Sequence, residues 1–220
     1  MDKLQIAVAG AGLIGRRHIE LVNESNRCSL SAIVDPTDSA KELAGSLCVK
    51  HFSSLNDMFR QHTPSGIILA TPNNLHVDQA IQCLDKNVAA LIEKPVAHTL
   101  IEGNRLLNLS NKSSTPLLVG HHRAHSPILT TACDLIKKGI LGKIVGVMGS
   151  AVFYKPDDYF DDGVWRKMIG GGPILINLIH EIGNLRSLCG EIISVQAMSS
   201  NSTRGFEVED TAAMNFRFEN

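Results

Sequence analysis

One stretch decides the fold of this chain: LQIAVAGAGLIG, residues 4–15. Its first half is a short apolar run interrupted by Gln5, and the segment after it has helical spacing at Ile19 and Val22. A glycine-rich turn between a strand and a helix can hold the pyrophosphate of a dinucleotide. The stretch therefore predicts a strand, a turn and a helix at a cofactor site. The residues predicted to bind the cofactor there are Gly10, Gly12, Leu13, Ile14 and Gly15.

Asp35 is a second cofactor signal, because it lies at the end of the next predicted strand. A carboxylate at that place accepts hydrogen bonds from ribose hydroxyls and repels a 2′-phosphate. The following Pro36 and Thr37 supply no positive charge that would compensate for this repulsion. The sequence therefore predicts NAD as the cofactor, with NADP as the less favoured alternative.

Short apolar runs alternate with helical patterns through the first half of the chain. Runs that are apolar on both faces and alternate with helices are typical of a parallel sheet covered on both sides. Residues 1–120 are therefore predicted to form a Rossmann domain, an α/β fold with a doubly wound parallel sheet. The further strands are predicted at residues 29–34, 51–52, 66–70, 89–92 and 117–119.

The pattern changes after residue 120, and residues 121–220 are predicted to form an α+β domain for substrate binding and oligomerisation. In its last strand Met214, Phe216 and Phe218 alternate with polar residues, the period of a half-buried strand. Only three strands precede Asn220, so we expect a shortened domain with an open edge that invites pairing with another chain. The predicted helices are 128–138 and 173–188, and the predicted strands are 143–152, 192–199 and 211–218.

The composition favours a small-molecule ligand. Apolar residues make up 44% of the chain and charged residues 20%, and the formal net charge of −1 predicts neither a nucleic-acid nor a membrane-surface partner. The five cysteines show no Cys-x-x-Cys spacing, and their odd number fits reduced thiols. The N-terminus enters a strand with no charged leader, and no apolar run approaches the roughly 20 residues of a membrane span. We expect a soluble, cytoplasmic protein.

Three further motifs carry a family resemblance. Glu93-Lys94-Pro95 closes an apolar run, which places a lysine where it can reach a reacting oxygen beside a nicotinamide ring. Thr71-Pro72-Asn73 and His76 follow the preceding strand, and Gly170-Gly171-Gly172 leads to His180. With these motifs the chain resembles the glucose-fructose oxidoreductase / inositol dehydrogenase family, often called Gfo/Idh/MocA. The resemblance implies a Rossmann domain followed by a mostly antiparallel α/β domain.

The resemblance also implies roles for these residues. His180 would be the acid/base and Lys94 its electrostatic partner or proton relay, although the two roles could exchange. The Lys94–Pro95 bond would be cis. The alternative for His76 is a solvent-facing residue at the start of a helix. The alternative for His180 is a structural histidine whose hydrogen bonds are satisfied within its helix. The residues implied at the nicotinamide half of the cofactor are Thr71, Pro72, Asn73 and His76, with Glu93 near the nicotinamide ribose.

The chain departs from the family pattern around its histidine. Ile176 and Gly183 stand where many members carry aspartates, so neither position supplies a carboxylate that could orient His180. Asn177 can still hydrogen-bond substrate hydroxyls.

The segment around His121, His122 and His125 corresponds to the one that usually enters the substrate cleft. Three imidazoles could suggest zinc. However, His121 and His122 would point apart if extended, no cysteine lies near, and the family needs no metal, so we predict none. The remaining substrate-binding residues are Arg123, for a hydroxyl or carboxylate, and Tyr154, Trp165 and Arg166 as the far wall, with a core position as the alternative for Trp165.

The predicted function is that of an NAD-dependent dehydrogenase, an oxidoreductase that moves a hydride between NAD and a secondary alcohol of a polyol, sugar or cyclitol-like substrate. One alternative is an NAD-binding protein without turnover, because the shortened second domain would leave the cleft incomplete. Another is a redox-assisted glycosidase with tightly held NAD. Relatives usually associate through the open face of the second sheet, which predicts a homo-oligomer.

Overall fold

A computed structural model describes residues 3–219 of the chain. The chain divides after Gly120 into two compact units, Met1–Gly120 and His121–Asn220. Among the described residues, no helix is both long enough and apolar enough to cross a membrane.

The first unit is a parallel sheet whose strands alternate with helices. Its strands lie in the order β3-β2-β1-β4-β5-β6, and all neighbouring pairs are parallel. This is the strand order of a doubly wound dinucleotide-binding fold, so the predicted fold class is confirmed. The strands are β1 (Leu4–Ala9), β2 (Cys28–Val34), β3 (Lys50–Phe52), β4 (Gly66–Leu69), β5 (Ala89–Glu93) and β6 (Leu117–Gly120). The helices are α1 (Leu13–Glu24), α2 (Asp38–Ser46), α3 (Leu55–Gln61), α4 (His76–Asp85) and α5 (Leu100–Ser110), with a 3₁₀ turn at Asn73–Leu75 before α4.

The central strands are buried on both faces, which explains why their sequences are apolar without alternation. Leu69 and Ile92 belong to the cluster on one face, and Val8 and Ile33 belong to the cluster on the other. Burial of each such side chain contributes about 1.5–3 kcal/mol to stability. The sheet therefore gives firm support to the loops at its carboxyl edge, which follow β1, β2, β4 and β5.

The second unit combines helices with one antiparallel strand pair, as expected for an α+β domain. β7 (Ile192–Ser200) pairs with β8 (Thr211–Phe218). The helices are α6 (Pro127–Lys137), α7 (Asp157–Asp161) and α8 (Ile179–Cys189). Short 3₁₀ turns lie at His122–His125 and Val164–Lys167, and a π-helical turn at Ile174–Leu178 leads directly into α8.

The predicted strand at residues 143–152 does not form, and this prediction was wrong. Val145, Met148 and Val152 are all more than 90% exposed, at 95%, 98% and 92%. An extended segment becomes a strand when its backbone groups bond to a neighbouring strand. Within the described part of the second unit, the hydrogen-bonded sheet contains β7 and β8 and does not extend to this segment.

Candidate functional site

The glycine turn after β1 is tightly packed against the sheet. Gly10 has a positive φ of 88°, and a Cβ added to it would lie 2.5 Å from the carbonyl oxygen of Ala70. A Cβ at Gly15 would overlap the carbonyl oxygen of Gly10. Both positions therefore require glycine, the first for its backbone conformation and close approach and the second for the packing of α1 on the turn.

The turn also fits the pyrophosphate of a dinucleotide. A Cβ at Gly12 would meet no atom within 4 Å, so this glycine borders open space. α1 begins directly after it at Leu13, and the first N–H groups of a helix have no acceptor within the helix. The side chains of Leu13 and Ile14 are exposed at this end of the helix. The turn, its glycines and these two residues are therefore the part of the chain that would hold the phosphates.

Asp35 lies beside the turn with its carboxylate fixed. Its Oδ2 accepts a hydrogen bond of 2.8 Å from the Ala11 amide, and its Oδ1 accepts bonds from the amide and hydroxyl of Thr37 at 2.9 and 2.6 Å. Burial raises the pKa of Asp35, but the bonds from Thr37 and Ala11 outweigh it, so the pKa lies below its usual range. The carboxylate is therefore ionised at neutral pH, as a ribose-binding group requires.

The loop after β4 brings the predicted nicotinamide residues together. Asn73 and His76 are buried, Thr71 is half-buried, and Pro72 is exposed. The Thr71 hydroxyl donates to Oε1 of Gln79 at 2.6 Å. Both ring nitrogens of His76 face backbone carbonyl oxygens, Nδ1 that of Pro95 and Nε2 that of Thr71, each at 2.8 Å. His76 therefore lies beneath this loop, where its two ring nitrogens face backbone carbonyl oxygens on two sides.

The segment after β5 contains a buried carboxylate. Glu93 Oε1 lies 2.8 Å from Nε2 of His18, and Oε2 accepts a bond of 3.1 Å from the Lys94 amide. Burial raises the pKa of Glu93, but His18 and the Lys94 amide lower it more, so the net pKa lies below its usual range. The Lys94–Pro95 peptide bond is cis, as the family resemblance implies.

In the second unit, two glycines before the helical segment that carries His180 pack closely against other parts of the chain. A Cβ at Gly171 would overlap the carbonyl oxygen of Trp165, and one at Gly172 would lie 2.5 Å from the carboxylate of Glu209. That carboxylate accepts a bond of 2.7 Å from the Ile174 amide, at the start of the helical segment that carries His180. A carboxylate at a helix N-terminus is electrostatically favourable. The glycines therefore leave room for Glu209 to hold the beginning of this helix.

His180 is buried among polar groups of the second unit. Its ring packs edge-on against that of His122, with centroids 4.8 Å apart, and lies 6.3 Å from that of His121. The two histidines approach the same ring because the chain forms a 3₁₀ turn at His122–His125 and does not extend as assumed above. Glu181, the next residue along, forms an ion pair with Arg123.

A cavity of about 400 Å³ opens beside His180. Arg123 and His180, both predicted from the sequence, line it together with Asn184 of α8. The Asn184 amide donates to Glu181 at 3.2 Å, and Glu181 also pairs with Arg123, so this carboxylate holds two of the lining side chains. The cavity is thus lined by groups that can hydrogen-bond a hydroxylated ring.

The other predicted substrate residues lie apart from this cavity lining. Arg166 donates to the carbonyl oxygen of Tyr159, and its guanidinium lies 4.1 Å from the ring centre of Tyr159 and 5.3 Å from that of Trp165. Trp165 is half-buried, whereas Tyr154 is 85% exposed. Asn177 lies in the π-helical turn before α8. Trp165 and Arg166 are thus brought together, but Tyr154 lies on the surface.

Several polar residues at these sites were missed by sequence reasoning. Arg16 donates to the carbonyl oxygen of Ala11 at 3.1 Å and reaches the Ser39 hydroxyl at 3.5 Å, which holds its side chain beside the glycine turn. His18 and Glu209 contact groups far away in the sequence, and no local pattern marks them.

Over residues 3–219, no group of three or more His, Cys, Asp or Glu side chains is arranged to hold a metal ion. Two of the three histidines near residue 121, His121 and His122, instead contact the ring of His180.

Comparison with known proteins places this arrangement in a family. A family model described as the oxidoreductase family with an NAD-binding Rossmann fold matches residues 4–121. A model of the Gfo/Idh/MocA C-terminal domain matches residues 129–220. The chain belongs to the Gfo/Idh/MocA family. The resemblance seen in the sequence is therefore confirmed.

The Gfo/Idh/MocA relatives are distant and longer than this chain. The rhizopine catabolism protein MocA of Rhizobium meliloti is 27% identical over 192 residues, which cover 87% of this chain and 59% of that protein. Inositol 2-dehydrogenase of Mycolicibacterium gilvum is 28% identical over 213 residues, which cover 93% of this chain and 58% of that enzyme. The chain thus spans about three fifths of the length of these curated relatives.

Solved structures agree with the family assignment. The WlbA dehydrogenase of Bordetella pertussis, crystallised with NADH and UDP-GlcNAcA, aligns with a TM-score of 0.94 at 27% identity. The alignment covers 99% of this chain and 69% of that one.

Proposed function

We propose that this protein is an NAD-dependent dehydrogenase that oxidises a secondary alcohol of a polyol, sugar or cyclitol-like substrate. One observation carries the proposal: the glycine turn after β1 and the Glu93-Lys94-Pro95 segment after β5 end at the same edge of the sheet. Both strands pair in parallel with β4, which lies between them. Ligands of doubly wound sheets bind at this carboxyl edge. Membership of an oxidoreductase family supports the same proposal.

The residues of the first unit would hold NAD along this edge. The turn at Gly10, Gly12 and Gly15 receives the pyrophosphate, and Asp35 binds the adenosine ribose. The loop at Thr71-Pro72-Asn73 and the carboxylate of Glu93 border the nicotinamide half. When bound, NAD supplies the hydride acceptor for alcohol oxidation.

The chain itself supplies groups for proton movement and charge stabilisation. As the C–H hydride leaves the substrate carbon, the hydroxyl proton must go to a base, and His180 is the proposed acceptor. The Lys94 ammonium stabilises the negative charge that develops on the substrate oxygen. The two roles can also be exchanged, because both groups bind and release protons.

The proposed substrate class follows from the second-unit cavity and the relatives. Arg123, Asn184 and His180 line this cavity and provide donors and acceptors that suit several hydroxyl groups. One relative is an inositol 2-dehydrogenase, and the WlbA enzyme was crystallised with a nucleotide-linked sugar acid. We therefore place inositols, free sugars and nucleotide sugars first among the compounds to be tested.

The test is a substrate panel with NAD, in which the absorbance of reduced cofactor is followed for the wild type, Lys94→Ala and His180→Ala. We expect NADH formation with at least one polyol or sugar, and losses of kcat of about 10²–10³ in Lys94→Ala and about 10²–10⁴ in His180→Ala. The matched control is Lys112→Ala, which removes a surface lysine between α5 and β6.

Two outcomes would contradict the proposal. NAD binding that no panel compound alters would favour a binding protein without turnover. Retained NAD with glycoside cleavage and no net NADH would favour a redox-assisted glycosidase.

A further inference from the structure

Two histidines contact the residues on either side of Lys94. His18, in α1, binds the side chain of Glu93, and His76, the first residue of α4, faces the carbonyl oxygen of Pro95. They come from two different helices and meet the same short segment. The proposed function uses Lys94, Glu93 and the loop containing His76, but it leaves His18 without a role and gives His76 no specific one.

His18 acts on the Lys94 backbone through a carboxylate. Its Nε2 lies 2.8 Å from Oε1 of Glu93, and the other oxygen of that carboxylate accepts the Lys94 N–H at 3.1 Å. The side chains of His18 and Glu93 are only 16% and 8% exposed, so water competes little for these bonds. An ionised carboxylate can accept both bonds at once. The imidazole thus fixes the carboxylate, and the carboxylate fixes the amide of Lys94.

His76 acts on the backbone that follows Lys94. Its side chain is 1% exposed, and its two ring nitrogens lie 2.8 Å from the carbonyl oxygens of Pro95 and Thr71. Carbonyl oxygens only accept hydrogen bonds, so a neutral imidazole bonds one of them and an imidazolium bonds both. The ring therefore lies between the loop after β4 and the segment after β5, and when neutral it donates to one of the two carbonyl oxygens.

We propose that His18 and His76 are positioning residues for Lys94, which hold residues 93 and 95 so that the lysine leaves the sheet edge in one fixed direction. The need for such anchors follows from lysine chemistry, because the ammonium lies at the end of a flexible four-carbon chain. A catalytic group must be held within about 0.5 Å of its working geometry by its supporting residues. The inference rests on the proposed function only in giving Lys94 a part in the reaction.

The first test requires no cofactor. Hydrogen exchange of the Lys94 amide is measured by NMR in the wild type, in His18→Leu and in His76→Leu. We expect exchange about tenfold faster in each Leu variant, with part of the protection restored in His18→Gln and His76→Gln, which keep an N–H donor. The control is His62→Leu, because this half-buried histidine follows α3 and precedes β4, at the opposite edge of the sheet. Unchanged exchange at Lys94 in both Leu variants would overturn the proposal.

The second test is a double-mutant cycle on kcat. If both histidines act through Lys94, each Gln variant lowers kcat about threefold to tenfold when Lys94 is present and less than about twofold in the Lys94→Ala background. NAD affinity, measured by fluorescence titration, should change much less than kcat. Losses that simply multiply in the double variants would show that the histidines act independently of the lysine, and would also overturn the proposal.

The two tests separate this inference from the proposed function. If Lys94→Ala keeps full activity, the role proposed for the lysine fails, while amide exchange still decides whether the histidines anchor its backbone. If Lys94→Ala is impaired but the histidine losses multiply, the proposed function stands and the positioning role fails.

Discussion

The carboxylate of Asp35 accepts three hydrogen bonds, one from the Ala11 amide and two from Thr37. These bonds hold the negative charge next to the glycine turn, where the ribose of NAD is expected. We predict that Asp35→Ala weakens NAD binding about tenfold and weakens NADP binding less, because the substitution removes the negative charge that repels a 2′-phosphate. Titration of both cofactors by NADH and NADPH fluorescence measures the ratio.

The control for this prediction is Asp38→Ala. Asp38 is an exposed carboxylate at the start of α2, close to Asp35 in the sequence, so its removal changes the local charge equally. A preference for NAD that persists in Asp35→Ala, or that shifts equally in Asp38→Ala, would argue against the assignment.

The polar residues of the candidate site differ in how well the sequence alone predicts their roles. Asp35 could be predicted because it ends a strand and its role depends on that position alone. His18 could not, because its partner Glu93 lies 75 positions away and only the folded sheet brings them together. Arg16 was missed for a related reason, because its contacts with Ala11 and Ser39 form only when the turn folds.

Because His76 is buried, its protonation makes the stability of the fold depend on pH. Burial lowers the pKa of His76 below its ordinary 6.5, although the carbonyls of Pro95 and Thr71 and the charge of Glu93 partly oppose this. The unfolded chain therefore takes up this proton at higher pH than the folded one, and stability falls as pH drops below about 6.5. Asp35 and Glu93, whose pKa values are lowered from 3.8 and 4.5, remain stabilising until the pH falls below those values.

We therefore predict that the free energy of unfolding decreases in two stages on acidification, the first beginning near pH 6.5 and the second below about pH 4.5. Urea unfolding at a series of pH values measures it. His76→Gln should lower stability overall but make the dependence between pH 6.5 and 4.5 shallower, with a residual slope from His62, whose pKa is lowered by burial and by Lys50. An equally steep slope in His76→Gln would contradict the assignment.

At the level of elements, substitutions of the glycines around the start of α1 distinguish effects on folding from effects on cofactor binding. Gly15→Ala would push a methyl group into the Gly10 carbonyl, whereas Gly12→Ala would place it in open space. We predict that Gly15→Ala lowers the free energy of unfolding by about 1–3 kcal/mol, because the turn must move away from the helix. Gly12→Ala should leave stability within about 0.5 kcal/mol and weaken NAD binding tenfold or more, since the methyl group occupies the space for the phosphates.

Gly45→Ala provides the matched control for these substitutions. Gly45 lies within α2, and a Cβ there meets no atom within 4 Å. Alanine is the better helix former, so this variant should gain roughly 0.5–1 kcal/mol. Thermal unfolding and NAD titration of all three variants check the pattern, and tight NAD binding by Gly12→Ala would refute the proposed phosphate site.

Elements of the two units also differ in how well the sequence predicts them. The central parallel strands were predicted because helices cover both of their faces, so that buried apolar runs carry the signal. The pattern at residues 143–152 is similarly apolar, but a strand also needs a hydrogen-bonding neighbour, and apolar alternation does not reveal one. The helix predicted at residues 173–188 forms as the π-helical turn Ile174–Leu178 followed by α8, whereas the role of Glu209 depends on a contact from a distant loop.

At the scale of the whole molecule, the β7–β8 pair carries a largely apolar face. Val195 lies opposite Phe216 and Ala197 opposite Met214, so their side chains point to the same side of the sheet. Val195 is 56% exposed and Ile193, two residues before it, is 58% exposed. Exposed apolar surface of this kind marks interaction sites on soluble proteins. We propose that this face joins copies of the chain into a homo-oligomer.

We predict that the wild type sediments and scatters light as an oligomer, and that Val195→Asp shifts it towards the monomer by placing a charge in the apolar face. Gln196→Asp is the matched control, because residue 196 points to the opposite side of the same strand and should leave the oligomer intact. Light scattering over a range of protein concentrations measures all three. A wild type that stays monomeric at every concentration, or an equal effect of the two substitutions, would show that this face does not form the interface.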